Sequence, residues 1–145
     1  YAKKRGIKPL GFIKDFAYAG LEAHRMGLGP VYATKKLFDK TGTTLDEIDL
    51  IEINEAFSTQ VLANIEAFKS KSFCKKEFGS EPLGEINPDI LNIHGGAVAI
   101  GHPVGMSGTR IVLHLAKQLR EKGHKKGLAT LCVGGGQGAS FLVEV

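Results

Sequence analysis

Apolar residues follow two patterns along the chain: short runs, and longer segments in which they recur every three or four positions. The short runs carry β-branched and aromatic residues, and they predict strands. Five such runs lie at 10–20, 49–53, 90–93, 126–133 and 138–145. The last two are joined by the turn GGGQG and predict antiparallel neighbours.

The longer segments have the 3.6-residue period of amphipathic helices. They cover 31–42, 55–68 and 109–123. Pro30 is well placed to open the first helix, and Ser107 is a candidate cap for the third. The resulting element order is β-α-β-α-β-α-β-β.

This order predicts an α/β fold, a mixed five-stranded sheet covered by helices. Residues 69–89 are polar and interrupted by glycine and proline, so we expect a long excursion on the surface. A chain of 145 residues is long enough for one domain and too short for two ordinary ones, which predicts a single domain over 1–145.

Charge, hydrophobicity and cysteine content limit the kinds of partner and the location that fit the chain. The net charge is +4, but the lysines are dispersed and lack interleaved aromatics, which argues against nucleic acid and leaves an anionic small molecule. No apolar run approaches the roughly 18 residues of a membrane span, and no secretory signal is visible. Cys74 and Cys132 are too few for a disulfide framework or a zinc site, so we expect reduced thiols, no metal and a cytoplasmic location. Because the chain opens at Tyr1 rather than Met, we expect a piece of a longer protein.

The glycine-rich turn at 134–138 raises the question of phosphate binding. Phosphate-cradling motifs require a helix after the turn, whereas a strand follows here, so a nucleotide site is excluded. A plain hairpin accounts for one or two of these glycines. Exposed backbone N–H groups on such a loop can instead form an oxyanion hole, beside which Cys132 can exchange protons.

The stretch NIHGGAVAIGHPVGMSG at 92–108 sets His102 among five glycines. A lone loop histidine is more often structural, but Pro103 fixes the chain here. The helix N-terminus that follows favours a neutral imidazole or a developing negative charge nearby. The other histidines are expected to be structural or solvent-facing: His24, His94, His114 and His124. Asn54 lies between a strand and a helix, where it either caps the helix or faces a ligand at the strand ends.

Three motifs in order resemble the C-terminal half of a thiolase: NEAF at 54–57, GGAVAIGHPVGMSG at 95–108 and CVGGGQG at 132–138. MGLGP at 26–30, followed by a helix, also fits. Thiolases are acyl-CoA acetyltransferases that make or cleave 3-ketoacyl-CoA. The resemblance implies two similar βαβαβαββ halves around a shared pair of buried helices, and this chain resembles the second half.

The resemblance also implies roles for the catalytic residues. His102 matches the histidine that activates the nucleophilic cysteine and helps to bind the thioester oxygen. Asn54 matches the residue that holds a water in the same oxyanion hole. Cys132 matches the acid/base cysteine, and the N–H of Gly134 matches a donor of the second oxyanion hole. A thiolate base requires a lowered pKa, which nearby donors and a helix end can supply.

Further expectations concern substrates and partners. Met26 and Phe57 match positions that line the pantetheine and acyl channel, so CoA and acyl-CoA are the expected ligands, with no separate cofactor. The nucleophilic cysteine belongs to the N-terminal half, which is absent, and Cys74 does not match it. The chain alone is therefore expected to be inactive, and the full-length protein is expected to be a homodimer or homotetramer.

The sequence departs from the family pattern in places and leaves two alternatives. EAHR at 22–25 stands where an Asp-Pro pair is common, and 69–89 resembles the longer loop of degradative thiolases. A ketoacyl synthase or related condensing enzyme is one alternative, although it uses two histidines where this chain has His102 and Cys132. The other is a non-catalytic thiolase-like protein that binds CoA or lipid.

Overall fold

A computed structural model describes all residues, 1–145. The strands are β1 (Phe12–Gly20), β2 (Leu50–Ile53), β3 (Lys126–Val133) and β4 (Gln137–Glu144). The helices are α1 (Gly29–Thr41), α2 (Ser58–Lys69), α3 (Lys71–Phe78), α4 (Ala97–Ile100) and α5 (Val104–Lys122). Short 3₁₀ helices cover Lys3–Arg5, Ala23–Leu28, Leu45–Glu47 and Pro88–Ile90. None of the helices combines the length and apolar character that crossing a bilayer requires.

The four strands form one mixed sheet in the order β1-β4-β3-β2. β4 pairs antiparallel with both β1 and β3, and β2 pairs parallel with β3. The α/β class, the mixed sheet and the antiparallel terminal pair are thus confirmed. Because β2 and β3 are parallel, their carboxyl ends meet at one edge of the sheet, which we call the carboxyl edge.

The predicted five-stranded sheet is wrong, since residues 90–93 form no strand. Leu91 makes only an isolated parallel bridge with Ile51. Pro88 opens a 3₁₀ helix just before this point, and Asn92 takes a positive φ of 45° just after it. The extended conformation therefore lasts too briefly for a ladder.

The segment 69–89 is also different from the prediction, because it contains a helix. Ser70 caps α3 by accepting a hydrogen bond from the N–H of Phe73 (3.2 Å). The apolar positions of α3 face inward, and Cys74 is fully buried. Lysine and serine on its outer face gave the segment a loop-like composition.

Two helix starts differ from the prediction. α2 begins at Ser58, so Asn54 lies outside it and does not cap it. α5 begins at Val104, which places Ser107 inside the helix rather than at its cap. Pro30 does lie in the first turn of α1, as expected.

Each face of the sheet has its own core. Leu37 of α1, Phe68 of α2 and Leu128 of β3 pack on one face. Leu115 of α5 and Val143 of β4 pack on the other. The helices thereby cover both faces at the β2–β3 end, where the candidate site lies.

Candidate active site

The carboxyl edge brings together the residues singled out by the motifs. Asn54 directly follows β2, and its N–H donates to the carbonyl of Thr130 in β3 (2.9 Å). Cys132 is the second-last residue of β3. The first turns of α5 lie at the same edge, since a Cβ at Gly108 would be 3.6 Å from Leu131 Cδ1. No hydrogen bond joins the side chains of Asn54, His102 and Cys132.

Asn54 is 2% exposed, and neither atom of its amide group has a hydrogen-bond partner. Leaving a buried polar group unpaired costs about 1–3 kcal/mol. Asn54 is one of the residues around a polar cavity of about 130 Å³ between β2, the loop before α4 and α5. A cavity of this size and polarity admits water. The unpaired amide lies beside it, closed off from solvent, and is a candidate to bind a water molecule or a ligand oxygen.

His102 is oriented by the first turn of α5. Its Nδ1 lies 2.7 Å from the Oγ of Ser107, and that hydroxyl donates to the carbonyl of Pro103 (3.3 Å). If the hydroxyl hydrogen is directed at Pro103, Nδ1–H donates to Ser107 and Nε2 carries the lone pair of the ring. Ser107, missed as a site residue, is fully buried and holds the imidazole in place.

The loop before His102 is held by two residues that sequence reasoning did not single out. Asn92 Oδ1 accepts from the N–H of Ile53, and Asn92 Nδ2 donates to Ile53 O and to Glu55 Oε1, all at 2.9 Å. The other oxygen of Glu55 accepts from the N–H of Val98 (3.0 Å). A Cβ at Gly96 would lie 2.5 Å from the Glu55 carboxyl carbon, so only glycine permits this approach. The charged residue after Asn54 in NEAF was the available signal for Glu55.

Glycines of the turn after β3 serve different purposes. Gly136 has a φ of 91°, and a Cβ there would collide with the carbonyl of Leu21. Gly138 lies directly against the backbone of Gly29. Gly134 does not have a positive φ, and a Cβ added to it would meet no atom within 4 Å. Packing within the chain therefore does not explain Gly134. Its N–H lies outside the β3–β4 ladder and makes none of the hydrogen bonds of the turns and loops, so it can serve as an oxyanion donor.

Burial raises the pKa of the Cys132 thiol, only partly offset by a backbone hydrogen bond. In the chain by itself, the Cys132 thiol therefore lacks the lowered pKa that a thiolate base requires. A thiol that stays protonated is suited to donating a proton. Acting as a base requires a further group that stabilises the thiolate.

The two candidate channel residues flank the same edge. Met26 is half-buried in the 3₁₀ helix Ala23–Leu28. Phe57 precedes α2 and is 60% exposed. An exposed phenylalanine beside a polar site is suited to contact an apolar ligand segment.

Glu52 is a further buried charge that the sequence reasoning missed, although a glutamate in the apolar run LIEI was a signal. Its carboxylate accepts from Nε2 of Gln118 (3.0 Å). Burial, with a smaller contribution from Glu55, raises its pKa to about 7. His114 Nε2 lies 3.9 Å from Glu52, and burial lowers the pKa of His114, as does neighbouring His94.

No group of three or more His, Cys, Asp or Glu side chains is arranged to hold a metal ion. The site instead combines an unpaired amide, an oriented imidazole, a thiol and an open backbone N–H. This set defines a class of protein: an α/β domain equipped for acid/base chemistry and for stabilising a developing oxyanion.

Comparisons with known proteins identify the family. The family model described as thiolase, C-terminal domain matches residues 7–145. The chain belongs to this family. The expected thiolase resemblance is thereby confirmed.

Individual relatives cover nearly the whole chain. A 3-ketoacyl-CoA thiolase of Yersinia enterocolitica is 40% identical over 99% of the chain, and an acetyl-CoA acetyltransferase of Chromobacterium violaceum is 43% identical over 99%. The crystal structure of the Bacillus anthracis acetyl-CoA acetyltransferase matches with a TM-score of 0.81 and 37% identity over 99% of the chain. The chain spans about a third of each: 34%, 32% and 32% respectively.

Proposed function

We propose that this chain is the C-terminal catalytic half of a thiolase, which transfers an acetyl group between a cysteine of the other half and coenzyme A. The observation that carries the proposal is the position of three elements: Asn54 follows β2, Cys132 lies near the end of β3, and His102 precedes α5, whose start packs on the end of β3. The names of the relatives, 3-ketoacyl-CoA thiolase and acetyl-CoA acetyltransferase, support it. By itself the chain is assigned no turnover, because the nucleophile belongs to the other half.

In the condensing direction, the Cys132 thiolate removes a proton from the α-carbon of acetyl-CoA, and the C–H electron pair becomes an enolate. The enolate carbon attacks the acetyl group on the nucleophilic cysteine. The new C–C bond forms as the C–S bond breaks, which releases that cysteine as a thiolate. The proton that Cys132 took up then passes, by way of His102 Nε2, to the released thiolate of the nucleophilic cysteine, which leaves Cys132 as a thiolate again. Cleavage of 3-ketoacyl-CoA follows the reverse order.

The remaining groups stabilise charge on oxygen. The N–H of Gly134 is assigned to one oxyanion hole. His102 and a water on Asn54 are assigned to the other. One such donor contributes about 3–4 kcal/mol to transition-state stabilisation. Met26 and Phe57 are assigned to the walls that hold the pantetheine arm and the acyl chain. CoA thioesters are the substrates, without a further cofactor or metal.

An apolar groove supports the proposal that a second half is part of the working enzyme. The groove has a volume of about 380 Å³ and lies between α5 and the β1–β4 end of the sheet, where Phe12, Ile13, Val112, Leu113 and Phe141 line it. Exposed apolar surface of this kind marks an interaction site. We assign it to the N-terminal half, and we expect a cytoplasmic homodimer or homotetramer of the intact chain.

The intact protein tests the assigned role of Cys132. Cys132→Ala is expected to abolish condensation of acetyl-CoA while acylation of the nucleophilic cysteine stays detectable by mass spectrometry. Cys74→Ala removes the chain's other thiol and is the matched control, expected to condense normally. Near-normal condensation by Cys132→Ala contradicts the role. Absence of acylation in the wild type supports the non-catalytic alternative.

A further inference from the structure

The segment 21–29, which contains Met26, lies against the turn that follows Cys132. At its start, the N–H of Leu21 donates to the carbonyl of Gly136 (2.8 Å). At its end, Gly29 packs directly on the backbone of the β4 start, where a Cβ would collide with the Gln137 carbonyl. Both ends of the segment are therefore fixed beside the candidate site.

The residue before Met26 is held by helix α3. Arg25 and Glu77 form a two-pronged ion pair, with Nη2 to Oε1 at 3.1 Å and Nη1 to Oε2 at 3.2 Å. Tyr32 of α1 donates its hydroxyl to the same Oε2 (2.5 Å). These bonds lower the pKa of Glu77, so the carboxylate stays charged.

This ion pair differs from an ordinary surface pair. The Glu77 side chain is 14% exposed, and its helix is fixed by aromatic packing. The ring of Phe78 lies 5.0 Å from Tyr32 and 5.8 Å from Phe73, both nearly perpendicular. Two-pronged geometry on a packed helix gives the contact a defined direction, which a mobile exposed pair lacks.

The residue after Met26 is held from the other side, by α2. Asn64 Nδ2 donates to the carbonyl of Gly27 (2.8 Å) and to that of Gln60 (2.7 Å). Asn64 is fully buried, so its position is fixed by the core. Met26 thus lies between two anchored neighbours, each tied to a different helix.

We propose that Glu77 and Asn64 are positioning residues that fix the Met26 wall of the acyl-CoA channel and thereby set which acyl chains fit. The assignment rests on the proposed function, which places Met26 in that channel. A rigid wall rejects a chain that is one or two methylenes too long, since each methylene that does not fit lowers kcat/KM about 10-fold to 200-fold. A loosened wall binds every chain less well and distinguishes them less.

The test compares Glu77→Gln with Glu81→Gln in the intact protein. Glu81 lies four residues after Glu77, just beyond the end of α3, and its side chain is 79% exposed. For thiolysis, Glu77→Gln is expected to raise KM about fivefold to tenfold, the fold-change that corresponds to one ordinary net hydrogen bond. We expect kcat to stay within about twofold, since the reacting groups are untouched. The ratio of kcat/KM between preferred and longer 3-ketoacyl-CoA should move at least about threefold toward unity.

Tyr32→Phe provides a milder second variant, which removes only the hydroxyl donor to Glu77, and it should shift the same two quantities in the same direction. Equal KM and equal chain-length ratios in the Glu77 and Glu81 variants overturn the assignment, as does a loss confined to kcat. A wild-type protein that binds CoA but performs no thiolysis overturns the proposed function instead. The assignment of Glu77 and Asn64, which rests on that function, then falls with it.

Discussion

Asn54 and Glu52 both line the cavity between β2 and α5, and they differ in what satisfies their polar atoms. Glu52 accepts a hydrogen bond from Gln118, whereas the amide of Asn54 has no partner in the chain. A buried polar group that is hydrogen-bonded within the chain contributes to folding. A buried group without such a bond is available to a ligand, and its removal is expected to affect catalysis more than folding.

Asn54→Ala is therefore expected to lower kcat of the intact protein about 100-fold or more, the usual cost of an oxyanion-hole donor. The same change should leave the thermal midpoint unchanged or raised, because an unpaired buried amide disappears. Initial rates of thiolysis and thermal melting measure the two effects. Asn87→Ala removes an amide from an exposed position and is the control for kcat alone, since its side chain also caps the 3₁₀ helix Pro88–Ile90. Undiminished kcat in Asn54→Ala refutes the role.

Glu52 is expected to make stability depend on pH. Its folded pKa, about 7, lies above the ordinary value of 4.5, so the folded state holds a proton that the unfolded state releases. The associated stability is present below about pH 4.5 and is lost as pH rises through about 7. Glu52→Gln should thus become more stable than the wild type by up to about 3 kcal/mol at pH 8, with little difference at pH 5.

Denaturation midpoints of the intact protein from pH 5 to 8.5 measure this difference. The exposed Glu66→Gln is the control, with no trend expected. A constant difference between Glu52→Gln and the wild type across this range shows that Glu52 is charged throughout.

At the scale of elements, the side chains of Asn92 and Glu55 join the stretch 92–101 to the end of β2, in addition to the backbone bond from the N–H of Asn92 to the carbonyl of Ile51. Asn92 adopts a positive φ of 45° and makes three hydrogen bonds of 2.9 Å. The backbone conformation of Asn92 and its side-chain hydrogen bonds contribute separately to the free energy of unfolding, and two substitutions distinguish these contributions.

Asn92→Gly keeps the positive φ and loses the bonds, so we expect about 2–3 kcal/mol of destabilisation. Asn92→Ala loses the bonds and must also take up a strained conformation, which adds about 1 kcal/mol. Urea unfolding of the intact protein gives both values. Equal stability of Asn92→Gly and the wild type shows that the hydrogen bonds contribute nothing net.

The same elements show what a sequence can predict. The spacing of apolar residues predicted β1, β2, the β3–β4 pair and the amphipathic α5. In each of these elements the regularly spaced apolar side chains face the core. It failed at 90–93, where Asn92 ends the extended chain. The motifs pointed to Asn54 and His102 but gave no role to Glu55 or Asn92, which lie in the same stretches of the sequence, because those two act through contacts between distant segments.

At the scale of the molecule, some apolar surface of the chain is buried and some is left exposed to solvent. Helix α5 is buried through Leu115 and Leu119, yet its Val104, Met106 and Leu113 are exposed. Leu113 lines the apolar groove beside β1 and β4, and Met106 lies about two helical turns before it on the same face of α5. Since the relatives are about three times as long, the proposed N-terminal half accounts for a face that would otherwise meet water.

Leu113→Asp tests this arrangement in the intact protein. Leu113 is 47% exposed in this chain, so a charge there costs little until a second half covers it. Once covered, an unpaired carboxylate is expected to lower stability by several kcal/mol and to reduce thiolysis in parallel. Leu62→Asp is the matched control: Leu62 is 62% exposed on α2, which packs on the opposite face of the sheet. If Leu113→Asp melts and turns over like Leu62→Asp, the groove is not the surface on which the two halves meet.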